Sequence, residues 1–93
     1  MWENKDMIVT REMLVNMLID YINRRIDTSN LISWAEDMMR EADFEDQYFE
    51  LLRDITARIG LADVREFGLY WDDCCDYLHK LGYRVKIEIL EIS

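Results

Sequence analysis

Proline is absent, glycine occurs only three times, and cysteine is confined to one adjacent pair. Each scarcity removes options. Without proline the chain has few hard breaks, which favours long helices. So little glycine leaves no loop to cradle a phosphate, and no GxSxG, HExxH or CxxC spacing occurs. Catalysis is therefore not expected, and no cofactor is implied. Cys74 and Cys75 are neighbours and cannot form an unstrained disulfide with each other on a helix. With no disulfide framework, the chain suits a reducing compartment. Residues 1–6 lack the basic start and apolar run of a secretion signal. No stretch approaches the roughly 18 apolar residues of a membrane span. The expectation is a cytoplasmic protein without a membrane partner. Positive charge is scarce too, with 11 basic side chains against 20 acidic ones and a formal net charge of -9. Repulsion from phosphate argues against a nucleic-acid partner.

What the sequence does have is apolar mass. Hydrophobic types make up 51% of its 93 residues, including three Trp, five Tyr, three Phe and six Met. That is enough for the core of one small domain without a metal or disulfide, and it leaves a surplus that could face a partner. The periodicity predicts a mainly α fold, a bundle of about four helices closed by a C-terminal β-strand. The first helix spans roughly 11–26, after Thr10 as N-cap, with Met13, Leu14, Met17, Leu18, Tyr21 and Ile22 at helical spacing. The second spans 30–42, with Leu31, Trp34, Ala35 and Met38 inward, after a turn cluster at residues 27–30. The third spans 44–59, with Tyr48, Leu51, Leu52, Ile55 and Ile59 in its stripe and Gly60 as its C′ stop. The fourth spans 64–81, with Cys74, Leu78 and Leu81 on its apolar face and Gly82 as its stop.

After Gly82 the period falls from 3.6 to 2. Val85, Ile87 and Ile89 alternate with Lys86 and Glu88, and Leu90 and Ile92 then take the other face. This predicts a strand over 84–92. A lone apolar strand invites pairing. Two partners are open to it: the run Met7-Ile8-Val9 within the chain, or the same strand of a second copy in a homodimer.

Two clusters carry candidate chemistry. On the fourth helix, Asp72, Asp76 and His79 fall on one face, and a carboxylate three residues before a histidine can share a metal ion. Three ligands of mixed character fall short of the four of a structural zinc site, so a solvated acidic face is favoured. The second cluster lies between Glu36 and Asp54, where eight acids meet only two arginines and aromatics are interleaved. Glu41, Asp43, Glu45, Asp46 and Glu50 would steer a basic protein partner, and Tyr48 and Phe49 would anchor it. The competing explanation is a solvated helix face with Phe49 tucked against its neighbour.

In size, acidity and helical make-up the chain is similar to the small helical bacteriocin immunity proteins. It shares no motif with them, so no residue is carried over. The likeness implies a small acidic interaction module, of inhibitor or immunity type, acting on a basic partner. The alternatives are a structural homodimer and, more remotely, a metal-binding helical protein.

Overall fold

Capping residues and apolar spacing set the helices where the chain must bury its stripes. The computed structural model describes residues 7–62, 71–86 and 91. In chain order these form β1 (Ile8–Val9), α1 (Arg11–Ile22), α2 (Thr28–Glu41), β2 (Asp43–Phe44), a 3-10 turn (Asp46–Tyr48), α3 (Phe49–Gly60) and α4 (Trp71–Lys80). The fold is mainly helical, as the periodicity predicts.

α1 begins where Thr10, extended at φ -99° and ψ 164°, turns its Oγ1 to accept from the Met13 N–H at 3.2 Å. This satisfies one of the four donors that any helix leaves open at its start. α1 is shorter than expected. It stops at Ile22, with Asn23 as C-cap and Arg24 in the left-handed region at φ 61°. The Arg25 N–H then reaches the Asp20 carbonyl at 2.8 Å and the Arg24 N–H reaches the Tyr21 carbonyl at 3.1 Å, a Schellman closure built on arginine.

α2 opens two residues earlier than predicted, because Asp27 rather than a later residue is the N-cap. Its Oδ1 accepts from the Asn30 N–H at 2.7 Å. Leu31, Ile32, Ala35 and Met38 are its buried residues, and on α3 they are Leu52, Ile55, Thr56 and Ile59. Both sets follow the helical period, and these two helices pack most extensively on each other. Burying one such aliphatic side chain is worth about 1.5–3 kcal/mol. Thr56 is the exception, since its Oγ1 is buried without a hydrogen-bond partner among the described residues.

The start of the third helix is corrected. Residues 43–48 are not α-helical: Asp43–Phe44 is a strand, pairing in parallel with β1 in the register Ile8–Asp43 and Val9–Phe44. The Asp43 N–H donates to the Met7 carbonyl and the Glu45 N–H to the Val9 carbonyl, each at 3.0 Å. The segment Met7-Ile8-Val9 thus has a partner that its spacing did not suggest. A parallel pair requires a long crossover, and here α1 and α2 supply it. Gly60 is the last residue of α3 and not its C′ stop; Leu61 is the C-cap, in the right-handed region.

α4 contributes Cys74, Leu78 and Leu81 to the core, beside Val9, Leu14, Leu18, Leu31, Leu52, Ile55 and Ile59. Gly82 does close α4 as predicted, at φ 96°. The Tyr83 N–H meets the Leu78 carbonyl and the Gly82 N–H meets the His79 carbonyl, each at 2.9 Å. The predicted start of this helix, at residues 64–70, lies outside the described residues. Of the predicted strand over 84–92, residues 84–86 have no strand pairing among the described residues. Val85 is half-buried and packs on the core. Ile87, Ile89, Leu90 and Ile92 lie outside the described residues.

Candidate partner-binding surface

The alternation of a strand decides which side chains this surface presents. In β1 and β2 the second residue of each points inward, so Val9 and Phe44 are buried, and their predecessors Ile8 and Asp43 face out as register partners. Glu45, extended at φ -60° and ψ 145°, then turns the chain through the 3-10 segment into α3. This brings Phe49, the first residue of α3, back over Phe44. Their ring centroids lie 6.2 Å apart and the planes meet at 87°, an edge-to-face pair.

Phe49 remains 42% exposed, with Ile8 at 52% and Met7 at 48%. Asp46 and Glu50 stand in the first turns of the 3-10 segment and of α3, where negative charge complements the helix dipole. Neither makes an ion pair among the described residues. A cleft of about 390 Å³ opens between Ile8, Asp43, Phe44, Glu45, Asp46 and Phe49. A second hollow of about 560 Å³ is lined by residues 46–51, Phe49 among them. The guanidinium of Arg53, one turn further along α3, lies over the Phe49 ring with Cζ 5.6 Å from its centroid.

The candidate residues separate into two groups. Glu41, Asp43, Asp46, Phe49 and Glu50 are exposed. Glu45 and Tyr48 are half-buried and turned toward the fold. Glu45 Oε1 accepts the backbone N–H of Arg11 at 2.8 Å, so the carboxylate caps α1 from 34 residues away. Tyr48 lies beneath the Arg11 guanidinium, 5.8 Å from Cζ to ring centroid, while Tyr83 takes the same cation at 4.6 Å. The Arg11 Nε donates to the Leu81 carbonyl at 2.7 Å, satisfying an acceptor at the end of α4. Their engagement with Arg11 gives these two residues a structural role in addition to their place beside the surface.

Sequence reasoning missed Ile8 and Met7 as part of this surface, and Arg11 as its support. A signal for Arg11 existed. A cation at the first position of a helix opposes the dipole, so its charge is better used elsewhere. Here it serves the C-terminal end of α4.

The other candidate cluster does not assemble. Asp72 and His79 are exposed, and Asp76 pairs with Lys80 at 3.1 Å across one turn. Among the described residues no group of three His, Cys, Asp or Glu side chains is placed to hold a metal. A larger cavity, of about 750 Å³, lies between the end of α1 and the start of α2. Its polar wall is already occupied with holding the turn: Asp27 caps α2, and the Tyr21 and Thr28 hydroxyls bond at 3.1 Å. Burial pushes the Cys74 thiol up to about 11, with the Asp73 carboxylate adding to the shift. Such a thiol is a small core hydrophobe rather than a nucleophile. Among the described residues, no helix is long and apolar enough to cross a membrane.

Compared with known protein families, curated proteins and solved structures, the chain matches none.

Proposed function

We propose that this chain is a non-catalytic protein–protein interaction module whose partner presents a basic surface. The observation that carries the reading is Phe49, an aromatic side chain left 42% exposed, which shares one cleft with the exposed Ile8, Asp43 and Asp46 and a second hollow with Asp46 and Glu50. Apolar anchors inside a charged rim are the usual anatomy of a binding surface, where the anchors supply affinity and the rim supplies steering. The net charge of -9 extends that steering beyond the patch. The free cysteines suit a cytoplasmic setting. In its sharpest form the reading is an inhibitor that covers the basic surface of another protein.

Display selection of peptide ligands tests it, with the wild-type chain as bait and Asp46→Lys/Glu50→Lys as the counter-selected competitor. Basic ligands that bind the wild type and not the reversed variant are expected. Ligands with no charge bias, or ones that bind both baits equally, would overturn it.

A further inference from the structure

We infer that the cleft beside Phe49 is an arginine pocket, which takes a guanidinium side chain of the basic partner onto the Phe49 ring and between the neighbouring carboxylates. The inference rests on the interaction-module reading and names the chemistry of its central contact.

Three observations converge on it. The first is the behaviour of Arg53. Glu50 lies one turn before it, yet Arg53 makes no ion pair among the described residues, and its guanidinium lies over Phe49 instead. The ring therefore already binds this chemical group within the chain. The second is shape. The cleft of about 390 Å³ is lined by the apolar Ile8, Phe44 and Phe49 and by the exposed acids Asp43 and Asp46, while Glu45, which also lines it, is engaged with the Arg11 N–H. An arginine offers the matching sequence of parts: an aliphatic stem for the walls, a flat cation for the ring, and forked donors for the carboxylates. The third is charge. Asp46 and Glu50 make no ion pair among the described residues, so a bound cation would not have to displace an internal one from them.

Arginine is favoured over lysine for a physical reason. A guanidinium is planar and weakly hydrated, so it stacks on a ring while still donating at its edge. An ammonium holds its water more tightly and donates from a point. Arg53 is then the internal competitor for the same ring, and its removal should strengthen binding.

The test is an NMR titration of the full chain, labelled with ¹⁵N, using short peptides that alternate glycine with arginine, lysine or uncharged citrulline. Shifts concentrated at residues 43–50 are expected with the arginine peptide. A cation–π contact at a partly exposed site corresponds to about two- to fivefold in affinity, which is the expected preference for arginine over lysine. Citrulline should give no shifts. Phe49→Leu keeps an apolar side chain and should erase the preference for arginine. Arg53→Gln should tighten arginine binding by the same about two- to fivefold. Arg58→Gln makes the same charge change further along α3, where Arg58 pairs with Asp54 at 3.2 Å, and should not tighten it.

Shifts spread evenly over the acids of α2 and α4, or identical effects of Arg53→Gln and Arg58→Gln, would overturn the pocket. Ligands from the display selection that bind Phe49→Leu without loss would overturn it too, and would leave the interaction module standing. A selection that returns no basic ligand strikes the module, whereas the titration decides the pocket.

Discussion

The backbone N–H of Arg11 donates to the carboxylate of Glu45 across 2.8 Å, joining residues 34 apart in the chain. A helix that opens with its own N-cap, Thr10, thus receives a second acceptor from the loop before α3. Removing that acceptor by Glu45→Ala should cost about 1 kcal/mol, within the range measured for lost caps. Glu45→Gln keeps an oxygen in place and should cost about half as much. Urea unfolding followed by circular dichroism reads both as shifts in midpoint. Equal stability of all three chains would refute the capping role.

The two Schellman closures predict opposite outcomes. Arg24 carries a side chain at φ 61°, where a Cβ is crowded, so Arg24→Gly should stabilise the fold by about 0.5–1 kcal/mol. Gly82 sits at φ 96°, and a Cβ there would lie 2.9 Å from the Arg11 Nη2. Gly82→Ala should destabilise by about 1–2 kcal/mol. Thermal unfolding of the pair gives both signs in one experiment.

Thr56, on the helix that packs against α2, buries a hydroxyl with no partner among the described residues. Thr56→Val replaces it with a methyl of similar size and should stabilise by about 1 kcal/mol. Thr56→Ala removes the same hydroxyl but leaves a void, and should fall below the valine variant. If the valine variant is less stable than the wild type, the hydroxyl has an acceptor.

Alkaline stability follows from Cys74. Its folded pKa is raised to about 11 from an ordinary 9.0, by burial first and by Asp73 second. A raised pKa means that folding favours the neutral thiol. The stabilisation is complete below the unfolded value and is lost as pH climbs from about 9 toward 11. Tyr77, raised by burial and then by Asp73, adds a loss in the same direction above its ordinary value of 10.0. Cys74→Ala should flatten the thiol part of this decline, measured as urea midpoints across the alkaline range.

How legible the fold was depends on the range of the interactions involved. The stripes of α1 to α3, and the Cys74–Leu78–Leu81 face of α4, stand out because they depend on neighbours three and four residues away. The end of α1 was hidden because Ile22 and Ile26 continue the helical spacing, and an arginine gives no sign of a left-handed turn. Phe44 and Tyr48 are also spaced like helix partners, which disguised β2; only pairing with Ile8 and Val9, more than thirty residues earlier, makes the segment extended. The candidate surface divides the same way. Phe49 was visible because it falls off the stripe of its own helix. Glu45 and Tyr48 could not be told from it, because their partner, Arg11, is remote in sequence.

The crossover between β1 and β2 also places the surface in time. Two strands held in parallel through the Asp43 and Glu45 amides meet only when the long segment that carries α1 and α2 is closed into a loop, and that closure costs more entropy than a helical contact does. Ile8 reaches the side of Phe49 only through that pairing. A nascent or partly unfolded chain would carry the same acids and the same ring without the cleft between them. Recognition through this face would therefore be withheld until β1 and β2 had paired.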